Sequence, residues 1–308
     1  MRVLVVFFSL FLCLFGCGQK QETSSWFADN GKIKVLSTTA MINDVVQRIG
    51  QDRVDSLSLI VGEIDPHSYE IVKGDDEKIV YAQIVIGNGL NLEHGASLRK
   101  LLKQHPHVVY LGDEIQKRVP ERILKVGGEI DPHVWMDISL WVEGIDAIVF
   151  ALAKTDPENA IFYRQNGDHL RREMLTVHLQ LQEEMREIPD EKRFLVTSHD
   201  AFHYFVRAYL AQGEEWEKRC MAPEGLAPEG QLSSQDIKRV VGHLSRYKIG
   251  VVFPESNVNR DALKKVISCC THDVRCSDQP LYGDAMGTEH YLEMIQHNAQ
   301  VLREEWNK

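Results

Sequence analysis

Strand-like and helix-like segments alternate along this chain, and the alternation constrains its fold more than any other feature. Between residues 32 and 113 the strand-like segments are KIKVLSTT, VDSLSLIVG, QIVIGNG and HVVYLGD, separated by the helix-like segments AMINDVVQRIG, DDEKIVYA and HGASLRKLLKQH. After residue 192 the alternation resumes with RFLVTS, DAFHYFVRAYL, SSQDIKRVVGHLSRY, IGVVFPE, RDALKKVISCC and TEHYLEMIQHNAQVLREEW. This order predicts parallel sheets with helices on their faces.

A long run without helix breakers separates the two alternating regions. Residues 157–188 contain one internal glycine, Gly167, and no internal proline, and they are rich in helix-forming residues. Apolar side chains recur there at helical spacing, at Leu170, Met174, Val177, Leu181 and Met185. We therefore predict an α/β fold of two lobes, 32–155 and 189–308, each a mainly parallel sheet flanked by helices. One long rigid helix, 156–188, joins them.

Size and charge narrow the class of protein. The chain has 308 residues, 44% of them apolar and 26% charged, which suits a globular protein with two domains. Its net charge is −10, and no basic stripe with interleaved aromatic residues occurs in it. A nucleic-acid-binding protein would need such a basic surface, so we predict no nucleic-acid partner.

The first 17 residues predict export. An apolar run of 14 residues, VLVVFFSLFLCLFG, follows Met1-Arg2 and is shorter than the roughly 20 residues of a membrane-spanning helix, so it indicates a signal peptide. Its end, Leu14-Phe15-Gly16-Cys17, resembles the lipobox of bacterial lipoproteins, which predicts lipidation of Cys17 and a lipid anchor in the membrane. A plain signal peptide with an incidental cysteine is the alternative. Residues 18–31 are polar and predict a flexible tether. The predicted location is the periplasm or cell envelope.

Export changes the meaning of the four later cysteines. A disulfide can persist outside the cytosol, and Cys220, Cys269, Cys270 and Cys276 form an even set. Adjacent Cys269 and Cys270 would form a strained ring, so we predict a bridge from Cys220 to one of the other three. A zinc knuckle is the alternative, but the four cysteines contain no CxxC pair.

One hexapeptide occurs twice. GEIDPH stands at residues 62–67 and again at 128–133, each time after an apolar segment, and delivers His67 and His133. Proline fixes its own φ and holds the preceding aspartate extended, so each imidazole is presented from a stiff loop. His199 follows the strand-like RFLVT, and Asp284 lies in the turn-rich segment LYGDAMG. Because ligands bind where parallel strands end, we expect these four side chains to lie close together.

Three neutral imidazoles and one carboxylate suit a divalent transition metal ion. A single histidine is weak evidence for a metal site, but the duplicated hexapeptide indicates a shared task. The ligand types leave the ion open among Zn²⁺, Mn²⁺ and Fe²⁺. We therefore predict one such ion, with the metal-ligating residues His67, His133, His199 and Asp284.

The motifs in their order carry a family resemblance from about residue 32 to the end. GEIDPHSYE, DPHVWMD, LVTSHDAFHYF, VVFPESNVN and LYGDAMG resemble the zinc, manganese and iron solute-binding lipoproteins of ABC transporters. The resemblance implies that the four residues above ligate a metal between two lobes joined by a helical backbone. It also implies a monomer without enzymatic activity that delivers the ion to a membrane permease driven by an ATPase. The His-rich acidic loop of many zinc-specific members is absent from KGDDEKIVYA.

Two further residues keep alternatives open. His203 stands four residues after His199, so HDAFH resembles the HExxH helix of metallohydrolases, with Asp200 in place of the glutamate base. The strand-like RFLVT runs up to residue 197, which places His199 before the helix and disfavours a hydrolase. We predict that His203 and Glu255 lie behind the ligands, where Glu255 bonds a ligating histidine or loop amides. Direct ligation by Glu255 is the alternative. A lipid-anchored adhesin is a third possibility, but it gives no reason for four metal-type ligands.

Overall fold

The computed structural model describes residues 26–228 and 232–308. The predicted signal peptide, the lipidation site Cys17 and most of the predicted tether lie outside these residues. None of the helices in the described ranges combines the length and the apolar character needed to cross a membrane. Residues Lys32–Lys308 form one compact unit that holds both lobes, so the lobe boundaries at 155/156 and 188/189 stay predictions.

Strands and helices alternate as the sequence predicts. The strands are β1 (Ile33–Ser37), β2 (Val54–Ser58), β3 (Ile84–Gly87), β4 (Val108–Tyr110), β5 (Lys125–Val126), β6 (Glu129–Ile130), β7 (Leu195–Val196), β8 (Cys220–Met221), β9 (Val251–Val252) and β10 (Arg275–Cys276). The α-helices are α1 (Ala40–Gly50), α2 (Asp75–Tyr81), α3 (Ala96–Gln104), α4 (Leu111–Arg118), α5 (Ile138–Trp141), α6 (Ile145–Thr155), α7 (Ala160–Arg186), α8 (His203–Phe205), α9 (Ser234–Tyr247), α10 (Asp261–Ser268) and α11 (Tyr291–Trp306).

The N-terminal lobe contains a parallel sheet with the strand order β2-β1-β3-β4. The chain passes from β1 to β2 on one side and then returns to β3 on the other side of β1. The sheet therefore has a topological switch point between β1 and β3, where ligands commonly bind beyond the carboxyl ends of the strands. The first GEIDPH loop follows β2. The second begins inside the short antiparallel hairpin of β5 and β6, because its Glu and Ile form β6, and only residues 131–133 follow the hairpin.

The C-terminal lobe contains four very short parallel strands. β7 pairs with β8 and β9 pairs with β10, and the amide of Phe253 donates to the carbonyl of Val196 over 2.8 Å, which joins the two pairs. Neighbouring residues of these strands face opposite sides, as in any strand. Leu195 therefore packs into the main core, whereas Val196 packs into a second cluster with Leu244 and Leu263.

The long helix α7 joins the lobes through one continuous apolar core. The predicted helix at 156–188 is present as α7, preceded by a 3-10 turn at Pro157–Asn159. The main core contains Val35 of the first lobe, Leu170 and Met174 of α7, and Phe205 of the second lobe. A large apolar interface of this kind opposes free motion of the lobes.

The predicted disulfide is absent, because the structure holds all four later cysteines as free thiols. Cys220 lies in β8 and Cys276 in β10, at the two outer edges of the C-terminal sheet, so three strand spacings of about 4.8 Å separate them by about 14 Å. A disulfide needs Cα atoms within about 7 Å. Cys220 is also part of the main core, whereas Cys270 packs against the second cluster.

One predicted strand segment is wrong in part. HVVYLGD was predicted as a strand, but only Val108–Tyr110 is extended, and α4 begins at Leu111. The carbonyl of Asn88 accepts from the amide of Gly112 over 2.6 Å, and Leu111 is buried in the main core. Tertiary packing against the end of β3 therefore starts a helix where the local apolar run favours a strand.

Gly167 provides a test of the close packing between α7 and α6. A Cβ at this buried position would lie 2.7 Å from Cγ2 of Val149, whereas a Cβ at Gly242 of α9 would meet nothing within 4 Å. Alanine favours a helix by about 1 kcal/mol over glycine, but overpacking costs about 1–3 kcal/mol. In urea unfolding we expect Gly242→Ala to raise the free energy of unfolding by up to about 1 kcal/mol and Gly167→Ala to lower it by about 1 kcal/mol. Equal stabilisation by both variants would contradict this packing.

Candidate metal centre

The two GEIDPH loops use the same local hydrogen bond. Oδ1 of Asp65 accepts from the amide of His67 over 2.8 Å, and Oδ1 of Asp131 accepts from the amide of His133 over 3.0 Å. The aspartate thus closes a turn over the proline and aims the histidine that follows. The duplicated sequence therefore builds the same turn twice, and each turn presents one imidazole.

Strand ends of the N-terminal lobe hold both loops in place. The amide of His94 donates to the carbonyl of His67 over 3.3 Å. Asn88, directly after β3, donates from Nδ2 to the carbonyl of Pro132 over 3.0 Å. These bonds bring the two turns together at one edge of the sheet, where Nε2 of His67 and Nε2 of His133 lie 3.2 Å apart.

His199 comes from the C-terminal lobe and is oriented by Glu255. His199 follows β7 in a bend, and Glu255 follows β9. One oxygen of the Glu255 carboxylate accepts from the amide of His199 and the other lies next to its Nδ1, both over 2.8 Å. A proton on Nδ1 of the neutral ring would face this carboxylate, so Nε2 is the atom available to a metal.

Asp284 completes the cluster from the loop after β10. The preceding residue, Gly283, has no room for a side chain, because a Cβ there would collide with the carboxylate of Glu255. The indole of Trp135 donates to the carbonyl of Gly283 over 3.0 Å and so ties this loop to the second GEIDPH loop. The carboxylate of Asp284 lies among the three imidazoles as a result.

The four predicted ligands lie close enough together to share one ion. Carboxylate oxygens of Asp284 lie 3.5 Å from Nε2 of His67, 3.4 Å from that of His133 and 3.2 Å from that of His199. One ligand atom from each of the four residues lies within 4.8 Å of the others, and all four residues are buried. Ligand atoms about 2.0–2.2 Å from one tetrahedral ion lie about 3.3–3.6 Å apart. The three contacts of Asp284 with the imidazoles are close to this spacing.

The charges of the cluster fit a cation. Burial opposes ionisation of Asp284, but the imidazoles of His199 and His67 outweigh it and hold the pKa of the carboxyl well below its usual range. Neither carboxylate oxygen accepts a hydrogen bond of good geometry from the described residues, and Nε2 of His199 is similarly unpaired. A buried carboxylate without such partners needs another positive charge, and a metal ion supplies it.

Asp131 and His203 form a second layer behind His133. Oδ1 of Asp131 lies 2.7 Å from Nδ1 of His133, and Oδ2 lies 3.0 Å from Nδ1 of His203. The hydroxyl of Tyr204 donates to the carbonyl of Asp131 over 2.9 Å, so α8 of the C-terminal lobe holds this turn. His203 therefore contacts an aspartate and stands outside the four-residue cluster.

Sequence reasoning missed Asp131 as the partner of the His133 ring. The signal was present, since the aspartate lies two residues before each repeated histidine. In the first loop the corresponding Asp65 bonds Ser68 and is partly exposed. The aspartates of the two identical hexapeptides therefore contact different side chains, because their surroundings differ.

The geometry disfavours the hydrolase alternative. His199 lies in a bend and α8 begins only at His203, so the two histidines do not share a helix. Nε2 of His203 lies 3.7 Å from Asp200, away from the cluster of ligand atoms. The HDAFH segment thus contributes one candidate ligand and no HExxH geometry.

A family model described as "ZnuA: Zinc-uptake complex component A periplasmic" matches residues 35–305. The chain is 40% identical over 304 residues to the "Metal-binding protein YtgA" of Chlamydia trachomatis, covering 96% of this chain and 93% of that protein. It is 31% identical over 310 residues to the "Manganese-binding lipoprotein MntA" of Bacillus subtilis, covering 96% of each. It is 30% identical over 285 residues to the "Zinc-binding protein TroA" of Treponema pallidum, covering 89% of each.

A solved structure shows the same fold. The crystal structure of Fe(III)-bound YtgA from Chlamydia trachomatis superimposes with a TM-score of 0.86 at 41% identity, covering 89% of this chain and 98% of that one. The likeness confirms the predicted two-lobe α/β architecture with a long helix.

The titration of His133 tests the electrostatics of the metal-free cluster. Burial lowers the basicity of this ring, but the carboxylates of Asp131 and Asp284 outweigh it and raise its pKa to about 9. The bound proton therefore stabilises the metal-free fold below pH 6.5, and this contribution is lost as the pH rises through about 9. In NMR spectra of the metal-free wild type, we expect the ring resonance of His133 to titrate near pH 9. In the Asp131→Asn variant the same resonance should titrate at lower pH.

Resonances of His133 that titrate at the same pH with and without the Asp131 charge would contradict the proposed pairing.

Proposed function

Because this chain belongs to the ZnuA family of periplasmic metal-binding components of ABC transporters, we propose that it captures one transition metal ion between its lobes and hands it to a membrane permease. Membership confirms the family that the motifs predict. Proteins of this family are solute-binding components and not enzymes, which also confirms the prediction that the chain has no catalytic activity.

The buried cluster of three imidazoles and one carboxylate carries this proposal. Two of the imidazoles, those of His67 and His133, come from the N-terminal lobe, and His199 and Asp284 come from the C-terminal lobe. A metal bound by all four links the two lobes. The bound state then presents a different surface from the metal-free state, which a permease can recognise through differential affinity.

The donor set limits the cargo to first-row transition metals without choosing one. The named relatives bind Fe(III), manganese and zinc, and three nitrogens with one carboxylate are acceptable to each ion. Affinity alone would favour zinc over manganese or Fe²⁺ by the Irving–Williams order. The cargo is therefore set by which ion the cell supplies as well as by the site, and metal analysis of protein from its native host identifies it.

The transport partners follow from the family. A solute-binding protein of this kind acts with a permease in the cytoplasmic membrane and a cytoplasmic ATPase. We propose that the chain acts as a monomer, since its four candidate ligands all come from one polypeptide and no second copy is needed to complete the site. The relative MntA is a lipoprotein, which supports lipidation of Cys17 and retention of the protein at the cell envelope.

Removal of single ligands tests the site. Structural zinc sites of four ligands contribute about 10–16 kcal/mol, so each ligand supplies about 3 kcal/mol, or about 100-fold in affinity. In calorimetric titrations with Zn²⁺ and Mn²⁺ we expect a loss of about this size in each of four variants: His67→Ala, His133→Ala, His199→Ala and Asp284→Ala. Their melting temperatures should no longer rise when metal is added, because the folded state no longer binds it tightly.

Two nearby histidines serve as matched controls for these variants. The His94 ring lies 5.7 Å from the His67 ring, and His203 bonds Asp131, but neither joins the cluster. We expect His94→Ala to leave affinity unchanged and His203→Ala to lower it by about tenfold, as for residues behind a ligand. If His203→Ala abolishes binding while Asp284→Ala retains it, the assignment is wrong.

Anchoring has its own test. The segment Leu14-Phe15-Gly16-Cys17 motivates lipidation at Cys17, and a diacylated cysteine holds a protein stably at a membrane. We expect Cys17→Ser to move the protein from the membrane fraction to the soluble fraction of the envelope, with unchanged metal affinity. Continued membrane association of the variant would show that a different element anchors the chain.

A further inference from the structure

A cationic cavity lies on the side of α7, away from the metal centre. Its volume is about 300 Å³, and it opens between the last turns of α7 and the π-helical segment Val206–Leu210 that continues α8. Three arginines line it together with two glutamines, and none of its lining residues is acidic. In a chain of net charge −10 such a cavity needs an explanation.

Arg207 has a partly buried guanidinium without a matching carboxylate. Its Nη2 is inaccessible to solvent and donates to no acceptor among the described residues. The nearest carboxylate oxygen, on Asp137, is 3.9 Å away, too long for a hydrogen bond, and Asp137 bonds Arg122 over 3.0 Å. Burial, which outweighs the opposing effect of Asp137, holds the pKa of Arg207 below its usual range.

The other two arginines also have N–H groups that bond no acceptor among the described residues. Arg193 is 4% exposed, and its Nε has no acceptor in the described chain. Its partner Asp190 also bonds Arg219, so one carboxylate serves two guanidiniums. Arg186 makes no hydrogen bond or ion pair within the described ranges, and its side chain lines the same cavity.

We propose that this cavity binds a tetrahedral oxyanion of the phosphate or sulfate class. Planar guanidiniums present paired N–H donors that match the oxygens of such an anion, and bonds of this kind are among the strongest in proteins. The volume is many times the roughly 30 Å³ of a water molecule, so one oxyanion with hydration water fits. Two of the donors are already buried, so the anion would remove an existing cost of desolvation.

The cavity wall contains a feature that is often associated with function. π-Helical turns are rare and occur frequently at functional sites. Here the π-helical segment Val206–Leu210 carries Arg207 into the cavity, and Gln212 lies just beyond it. The unusual backbone therefore positions a guanidinium whose Nη2 has no acceptor among the described residues.

Titration of metal-free full-length protein with inorganic phosphate and with sulfate tests this proposal. Metal is removed first so that the anion cannot bind to it, and chloride keeps the ionic strength constant. In calorimetry we expect one saturable site per chain. Arg186→Gln and Arg207→Gln should each weaken binding about tenfold or more, since each removes a charge-assisted hydrogen bond.

Arg172→Gln is the matched control, because Arg172 is exposed on the same helix, outside the cavity, with no ion pair in the described chain. It removes the same charge and should leave binding unchanged. Circular dichroism and thermal unfolding check that each variant is folded, and Arg207→Lys, which keeps the charge but loses the planar fork, should bind with intermediate affinity. An equal loss in the control and the cavity variants would overturn the proposal.

A second arm separates a free anion from a phospholipid headgroup. Flotation with phosphatidylglycerol or phosphatidylcholine vesicles is carried out in the Cys17→Ser background, so that no lipid anchor contributes. If vesicle binding depends on Arg186 and Arg207, and titration with free anions shows no saturable site, then the oxyanion is a phospholipid headgroup. Absence of both free-anion and arginine-dependent vesicle binding would refute the site.

Discussion

The buried carboxylate of Asp284 is the main electrostatic constraint on the metal centre. Its side chain is 0% exposed, and removal of such a charge from water costs several kcal/mol unless opposite charge surrounds it. The imidazoles of His67, His133 and His199 supply that surrounding from three separate loops. Burial alone would lower the pKa of His199, but Glu255 and Asp284 raise it well above 6.5, so protons balance the carboxylate when metal is absent. Metal binding is then an exchange of protons for a cation.

The surrounding fold keeps this cluster in place. Trp135 of one lobe bonds Gly283 of the other, and Tyr204 bonds the carbonyl of Asp131, so hydrogen bonds cross between the lobes beside the site. The main apolar core is continuous through α7 and both lobes. We infer that capture and release of metal involve local movement of the four loops more than wide separation of the lobes.

The sequence predicted those parts of the structure that local patterns determine. The helix Ala40–Gly50 and the long helix α7 follow from apolar periodicity, and the histidines follow from the repeated hexapeptide. The sequence did not predict those features that contacts between distant parts of the chain determine. Asp131 acquires its role from His203, which lies 72 residues away in the chain, and nothing in the hexapeptide distinguishes it from Asp65. The predicted bridge at Cys220 was wrong because strand order, which a linear sequence does not reveal, places it far from Cys276.

Anomalous diffraction from crystals of the metal-loaded protein tests whether three histidines and Asp284 ligate one ion, because it locates the ion without reference to affinity. We expect one strong peak per chain, about 2.0–2.3 Å from Nε2 of each of the three histidines and from a carboxylate oxygen of Asp284. Data collected at the zinc, manganese and iron edges would identify the ion at the same time. An ion that contacts residues of one lobe alone, or that does not contact the carboxylate of Asp284, would contradict ligation by all four residues.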